Sequence, residues 1–255
     1  MLYMFSDSNI QELNLNGITK FHINKDISFY QDEYLAEINK CLDLDAKSIS
    51  QLGGFIAGHL NFYEQKIARK IYFTLVDEQL EKYIKKYLNT SFLKIRSNAN
   101  LNFPDSKFQH WHFDGSYNNN FLILNVPIIS ITSLNGPTEI YKRSQSNTSN
   151  IRKFIANYDN SLIYKVNICR DECILRDSRL WHRGTPNKSK DVRPMLAFIF
   201  ERSENDNNYL TIPSYDNSYI YNNMYNSTFI GKVKEYLLVY LPILNYANRF
   251  FFKNY

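Results

Sequence analysis

Residues 168–200 read ICRDECILRDSRLWHRGTPNKSKDVRPMLAFIF and contain two strand-like runs separated by a turn. The runs, 173–176 and 195–200, are short, apolar and rich in β-branched or aromatic residues, a composition typical of strands. Between them, the residues GTPN form a turn signal. This segment therefore predicts two strands, with His182 at the end of the first and Arg193 at the start of the second.

The same period of two extends over a larger part of the chain. Runs 92–101 and 122–132 also alternate between apolar and polar positions, and Asn, Gly, Pro or Ser residues bound them. Several short strands with little helix between them favour an antiparallel sandwich or barrel. We therefore expect a mainly β core over 92–202.

The regions on either side of this core have a different pattern. Residues 1–91 are expected to form a helical N-terminal part, in which 75–88 has apolar residues at helical spacing and a capping-box signal begins at Thr74. Residues 203–255 begin with an Asn/Asp/Tyr-rich loop and end in a basic, aromatic tail that we expect to be helical. Because no repeat or Pro/Gly/Ser linker separates these parts, we expect one domain over 1–255.

The composition excludes several classes of protein. The chain has 255 residues, 44% of them hydrophobic, and a formal net charge of +5 that is spread along the sequence. This dispersed charge does not indicate nucleic-acid binding. Cys41, Cys169 and Cys173 form no disulfide framework and fit a reducing compartment. Since neither an export signal nor a run of about 20 apolar residues occurs, we expect a cytoplasmic protein.

A candidate metal site follows from the spacing of a few side chains. In the segment QHWHFDG, His112 and Asp114 lie two residues apart, so an extended backbone projects both from the same face. Alone, this pair is also typical of a loop histidine bonded to a nearby acid. His182 follows about 70 residues later, and two histidines with one carboxylate in a β context are what a 2-His-1-carboxylate Fe(II) site requires. Arg193 then offers a bidentate grip on a carboxylate.

Three motifs over roughly 92–202 resemble the phytanoyl-CoA dioxygenase family of Fe(II)/2-oxoglutarate-dependent oxygenases. Gln109, His112 and Asp114 match the family's Q-x-x-H-x-D pattern, and residues 135–139 match its N-G-P-T-E element. The third motif is D-x-R-x-x-H-R-G-x-P-N-x-S followed by an arginine. Its matching residues are Asp177, Arg179, His182, Arg183, Gly184, Pro186, Asn187, Ser189 and Arg193.

The resemblance implies a fold and a set of roles. The implied fold is a double-stranded β-helix, a jelly roll of two facing antiparallel sheets with flanking helices. By this resemblance, His112, Asp114 and His182 bind Fe(II), and Arg193 pairs with the distal carboxylate of 2-oxoglutarate. Asn125 falls where relatives place a side chain that touches the cosubstrate.

Other positions are less specific. Gln109 and Thr138 lie in the matching motifs, and the resemblance implies that they line the cosubstrate pocket. A role in closing a turn would also explain each of them. The chain departs from the family pattern with KRSQ at 142–145 in place of the usual PGSH, and with Arg-Asp at 170–171 in place of Gly-Asp. Neither departure touches a predicted metal ligand. His59 matches no motif, and we interpret it as structural.

The resemblance implies an enzyme that uses O2 and 2-oxoglutarate to hydroxylate an unactivated carbon of a small molecule. Asp114 favours hydroxylation, because related halogenases have a small residue in its place. Arg96, Asn98 and Asn100 share one face of a predicted strand, and aromatic residues surround the expected pocket (Trp111, Phe113, Tyr117 and Trp181). Such a pocket suits a hydroxyl-rich, glycan-related or secondary-metabolite substrate.

Two alternatives stay open at the level of function. One is a catalytically silent jelly-roll binding module, and the other is an oxygenase that acts on a protein or a nucleobase. The tail at 230–255 is interpreted as a helix packed on the core or on a second subunit, with attachment to a membrane surface as its alternative.

Overall fold

The structure is a computed structural model that describes residues 5–51, 58–62, 66–109, 111–115, 118–147, 159–204 and 220–221, with backbone alone at 43–51 and 220–221. The tail at 230–255 lies outside the described residues, as does Tyr117. Among the helices that are described, none has the length and apolar character needed to span a membrane.

Helices and strands alternate in the first third of the chain, and strands dominate afterwards. The helices are α1 (Asp7–Asn16), α2 (Ser28–Gln51), α3 (Lys66–Leu75), α4 (Glu78–Leu88) and α5 (Ser144–Asn147). The strands are β1 (Ile18–His22), β2 (His59–Phe62), β3 (Phe92–Asn102), β4 (Leu122–Pro127), β5 (Thr138–Tyr141), β6 (Ile163–Val166), β7 (Glu172–Asp177), β8 (His182–Gly184), β9 (Arg193–Ser203) and β10 (Ile220–Tyr221).

The strands form two antiparallel sheets. The large sheet has the order β1-β7-β4-β9-β3-β2-β10, and the small sheet has the order β6-β5-β8. The longest pairing joins β3 to β9, from Phe92 opposite Ser203 to Asn102 opposite Arg193. This arrangement confirms the predicted jelly roll, and the predicted runs 92–101 and 195–200 lie within β3 and β9.

The N-terminal part is not wholly helical, which corrects the expectation for 1–91. Both β1 and β2 lie in it, and both join the large sheet. Phe21 of β1 and Leu60 and Phe62 of β2 pack into the core under the helices. The helix expected over 75–88 starts instead at Glu78. Its N-cap is Asp77, whose carboxylate accepts from the Leu80 N–H at 2.9 Å, while the Thr74 hydroxyl bonds to α3.

The two faces of the large sheet have different neighbours. Helices α1 to α4 pack against one face and form the main apolar core with residues of β2, β3, β4, β7 and β9. The other face turns toward the small sheet. A smaller cluster between the sheets includes Ile18, Ile140 and Ile174, and Met195 packs against it. The remaining space between the sheets is a cavity.

Candidate active site

A cavity of about 670 Å³ lies on the inner face of the large sheet. Its walls are inward-facing side chains of β2, β3, β4, β7 and β9, together with residues of β5 and β8 from the small sheet. His112, Asp114, His182 and Arg193 all line it. The volume is within the range of small-molecule sites and is large enough for a dicarboxylate and a second small molecule.

The three predicted metal ligands meet in this cavity. His112, Asp114 and His182 each offer one ligand atom, and these atoms lie within 4.8 Å of one another. The backbones of the two histidines are joined by reciprocal hydrogen bonds of 3.0 and 2.7 Å, which place their ring centroids 4.3 Å apart. Oδ2 of Asp114 lies 3.5 Å from Nε2 of His182. The fold thus brings together side chains from two distant parts of the chain.

The ring of His182 is held in the form that ligates a metal ion. Its Nδ1 lies 2.9 Å from the carbonyl oxygen of Leu180. Because a carbonyl only accepts hydrogen bonds, Nδ1 carries the proton and Nε2 presents its lone pair on the side of Asp114. Together with His112, this makes a donor set that suits a first-row divalent ion with open coordination positions.

An arginine that the sequence motifs missed holds the Asp114 carboxylate. Nη2 of Arg176 donates to Oδ2 of Asp114 at 2.8 Å, and its Nε donates to Oδ1 of Asn125 at 3.1 Å. Burial raises the pKa of Asp114, but its interactions with His182, Arg176 and His112, of which Arg176 is permanently charged, hold that pKa well below its usual range. Asp114 is therefore an anion at neutral pH. The sequence signal that could have identified Arg176 is the alternation of side chains along the strand, which puts Arg176 on the inward face of β7.

Arg193 is a buried cation with uncommitted donors. It is 1% exposed, and its Nη2 donates to the Gly136 carbonyl at 2.9 Å, whereas Nε and Nη1 have no partner among the described residues. Gly136 has a φ of +80°, a left-handed conformation that favours glycine. Burial lowers the pKa of Arg193 to about 10, so the guanidinium stays charged at neutral pH. These features fit a carboxylate ligand.

His59, which matches no sequence motif, lines the same cavity. Its Nδ1 lies 3.3 Å from Oδ1 of Asn100, and its Nε2 is buried without a partner in the described part of the chain. Burial, with the charge of Arg193, lowers the pKa of His59 to about 4. The ring fits here because Gly184 has no side chain: a Cβ on Gly184 would lie 2.5 Å from Cε1 of His59.

The other predicted cosubstrate residues also line the cavity. Asn125 is buried in β4 and accepts the bond from Arg176. Oε1 of Gln109 accepts from the Gly184 N–H at 2.9 Å, which is the turn-closing contact that the sequence left open as its alternative. Thr138 starts β5 opposite Gly184. Roles of Asn125, Gln109 and Thr138 toward a ligand stay predictions.

Several residues of the third motif build the scaffold around the cavity. The fully buried carboxylate of Asp177 accepts from Nε and Nη2 of Arg179 at 2.9 and 2.7 Å, and from the Tyr87 hydroxyl at 2.7 Å. Oδ1 of Asn187 accepts from the Ser189 N–H at 2.9 Å in the turn between β8 and β9. The motif therefore combines cavity-facing residues with residues that hold the strands and the turn in place.

Of the expected aromatic residues, the three that the structure describes, Trp111, Phe113 and Trp181, do not line the cavity. Trp111, Trp181 and Tyr141 form a separate buried cluster, against which Phe113 packs. The rings of Phe113 and Trp181 meet edge to face, with centroids 5.4 Å apart. The expectation of aromatic walls is therefore wrong for these three residues, because they bury their apolar surfaces against one another.

The predicted polar wall is present. Arg96, Asn98 and Asn100 face into the cavity from β3, as the alternation predicted, and Asn61 of β2 lies beside them in the wall. Nη2 of Arg96 pairs with Glu201 on β9 at 2.6 Å. The cavity is thus lined mainly by amides and charged groups.

No protein-family model matches this chain, and no curated protein matches it. Solved structures do resemble it. EvdO2 from Micromonospora carbonacea var. aurantiaca, complexed with 2-oxoglutarate, is 12% identical, with a TM-score of 0.56, over 80% of this chain and 93% of that one. HygX from Streptomyces hygroscopicus, with nickel and 2-oxoglutarate bound, is 11% identical, with a TM-score of 0.59, over 80% and 90%.

A third similar structure is SnoN, a non-heme alpha ketoglutarate dependent epimerase from nogalamycin biosynthesis. It is 12% identical to this chain, with a TM-score of 0.58, over 77% of this chain and 82% of that one. At these identities the likeness establishes a shared fold. The double-stranded β-helix described above is therefore the fold of this protein.

Proposed function

We propose that this protein is an Fe(II)- and 2-oxoglutarate-dependent oxygenase of a small molecule, and that it belongs to the phytanoyl-CoA dioxygenase family. The main support is the convergence of His112, Asp114 and His182 within 4.8 Å in a cavity that also contains the uncommitted guanidinium of Arg193. The solved structures of EvdO2 and HygX contain 2-oxoglutarate, which agrees with this proposal.

In this proposal, each residue has a task that its surroundings support. His112, Asp114 and His182 hold Fe(II), and Asp114 is already ionised by its neighbours. Arg193 holds the distal carboxylate of 2-oxoglutarate, since two of its nitrogen atoms, Nε and Nη1, are buried without partners among the described residues. The bound iron supplies the oxidising power by which O2 and 2-oxoglutarate give succinate, carbon dioxide and an oxidised substrate. The protein contributes position, charge and exclusion of water.

The substrate that we propose is a hydroxyl-rich small molecule, related to a glycan or a secondary metabolite. The inward faces of β2 and β3 support this choice, because Asn61, Asn98 and Asn100 offer amides that both donate and accept hydrogen bonds. A long acyl chain would leave these amides unsatisfied. HygX has also been solved with hygromycin B bound, which shows a small-molecule ligand on the same fold. We propose hydroxylation as the outcome, because Asp114 is present.

The experiment is uncoupled turnover of the full-length protein. We expect protein loaded with Fe(II) under anaerobic conditions to convert 2-oxoglutarate to succinate slowly when O2 is admitted. The matched control is E201Q, which changes a carboxylate of the same cavity outside the metal-ligand group and should retain this conversion. D114A should abolish it. Protein that binds neither Fe(II) nor 2-oxoglutarate would contradict the proposal and favour a silent binding module.

The remaining parts of the proposal have simpler tests. Activity on a protein or a nucleobase is the alternative substrate class, and salt-dependent binding of nucleic acid would favour it. The expected cytoplasmic location remains a prediction, and so does the packing of the tail at 230–255.

A further inference from the structure

Arg176 is a second guanidinium in the cavity, and none of the motifs assigned it a task. It lies on β7 with its side chain on the inner face and is 9% exposed. In the large sheet it pairs with Ile123 of β4, two residues before Asn125 on the same strand. The side chain therefore reaches Asp114 from the inner face of the large sheet, with Nη2 at 2.8 Å from Oδ2.

The hydrogen bonds of Arg176 are incomplete. Nη2 is committed to Asp114 at 2.8 Å, and Nε is committed to Asn125 at 3.1 Å. Nη1 is buried and has no partner among the described residues. Because an unsatisfied N–H of a buried cation is costly, a free Nη1 in a ligand cavity indicates that a ligand supplies the acceptor.

The charges in the cavity also indicate that an anion binds beside Arg176. Arg96 is paired with Glu201, and Arg176 is paired with Asp114. When Asp114 also ligates a divalent ion, its single negative charge serves both that ion and Arg176. A second anion beside Arg176 then becomes favourable.

We infer that Arg176 is a second carboxylate anchor for the cosubstrate: its Nη1 donates to the carboxylate next to the 2-oxo group, while Arg193 takes the far carboxylate. This inference rests on the proposed function and adds to it. A dicarboxylate matches two buried guanidinia that line the same cavity and still have unused donors. Asn125 then acts as a positioning residue, because its Oδ1 orients the guanidinium of Arg176.

The test separates the two ends of the ligand. The full-length protein is loaded with Ni(II), and its binding of three compounds is measured by calorimetry or ligand-observed NMR. The compounds are 2-oxoglutarate, 2-oxopentanoate, which lacks the far carboxylate, and 4-oxopentanoate, which lacks the carboxylate next to the oxo group. The variants are R176Q and R193Q, which form a matched pair because each removes one buried guanidinium.

We expect R176Q to weaken binding of 2-oxoglutarate and 2-oxopentanoate by about tenfold or more, and to leave 4-oxopentanoate within about twofold. R193Q should show the opposite pattern, with weaker binding of 2-oxoglutarate and 4-oxopentanoate and little change for 2-oxopentanoate. R176K provides a second variant in case R176Q does not fold. The single ammonium of lysine cannot donate in the planar geometry with which the guanidinium reaches Asp114, Asn125 and the ligand. Binding of the same two 2-oxo acids should therefore be weaker.

Other outcomes would overturn the inference. If Arg176 only holds Asp114 in place, R176Q will lower Ni(II) affinity, but R176Q that is saturated with Ni(II) will bind both 2-oxo acids as tightly as the wild type. If 2-oxopentanoate binds R176Q as well as the wild type, Nη1 does not contact that carboxylate. Wild-type protein that binds Ni(II) but no 2-oxoglutarate would contradict the proposed function itself, which distinguishes that failure from a failure of Arg176 alone.

Discussion

The two faces of the large sheet use the same strands for different purposes. Along β9, Phe198 and Phe200 face the helices and are fully buried, whereas Ala197 and Ile199 face the cavity and stay partly exposed. Strands β3 and β2 repeat the contrast, with apolar residues toward the helices and amides or charges toward the cavity. A strand period of two makes this division possible.

The comparison shows where stability and chemistry are located. Each large apolar side chain buried under the helices contributes about 1.5–3 kcal/mol. On the cavity face, charged groups such as Arg193 and Arg176 are buried with incomplete hydrogen bonding, which costs stability. The helix-covered face thus stabilises a cavity face whose groups are arranged for a ligand, and substitutions on the two faces should have separable effects.

The largest effect on the cavity face should come from Asp114→Ala. Removal of the carboxylate takes away a predicted metal ligand, so we expect an Fe(II) affinity at least about a hundredfold lower and activity reduced to background. Metal titration monitored by calorimetry checks the first result, and succinate formation checks the second. E201Q, on the same face, should retain metal affinity. An Asp114→Ala protein with full turnover would contradict the assigned ligand set.

The corresponding change on the helix face is Phe198→Ala. Phe198 is fully buried and its ring lies 5.4 Å from that of Tyr72, so the substitution should lower the free energy of unfolding by about 3–5 kcal/mol. Its matched control is Ile199→Ala, one residue along and on the opposite face, which should cost less than about 2 kcal/mol because its side chain already borders empty space. Urea unfolding measures both. Equal losses would contradict the division of the sheet into two faces.

A smaller effect concerns pH and His59. The pKa of His59 is about 4 in the folded protein, below the value of about 6.5 in an unfolded chain, so the unfolded state binds more protons between these values. Stability should therefore be complete above about pH 6.5 and fall as the pH falls toward 4, by about 2 kcal/mol at pH 5. His59→Gln should remove this part of the slope. Unfolding curves at pH 7 and 5 for both proteins provide the measurement, and parallel slopes would contradict it.

The smallest effect should come from Tyr87→Phe at the boundary between the helices and the sheet. The Tyr87 hydroxyl on α4 donates to buried Asp177 of β7 at 2.7 Å. Because Asp177 keeps both side-chain bonds from Arg179, we expect a loss of only about 1 kcal/mol. Thermal unfolding checks this value. A loss as large as that of Phe198→Ala would mean that polar contacts, and not apolar burial, hold the helices to the sheet.

Local sequence patterns predicted that strands and helices are present better than they predicted where these begin and which strands join the sheets. The period of two identified β3, β4, β7 and β9, because one side of each strand is buried under helices. It did not identify β1 and β2 in a helix-rich region, or the short strands of the small sheet. The start of α4 at Glu78 was missed because Thr74 and Asp77 are both good caps, and only the packing of α3 selects between them.

The amino-acid sequence alone determined the fold class and the side chains that meet in the cavity, because their chemistry and order along the chain form motifs. The tertiary structure alone decided how these side chains are supported. Arg176 reaches Asp114 across 62 residues, and His59 reaches the cavity from a strand that no motif includes. Such contacts depend on how distant strands pair and on what space a neighbour such as Gly184 leaves, and no local spacing records either. The ring cluster of Trp111 and Trp181 has the same physical origin, since apolar surfaces pair with whatever the fold places beside them.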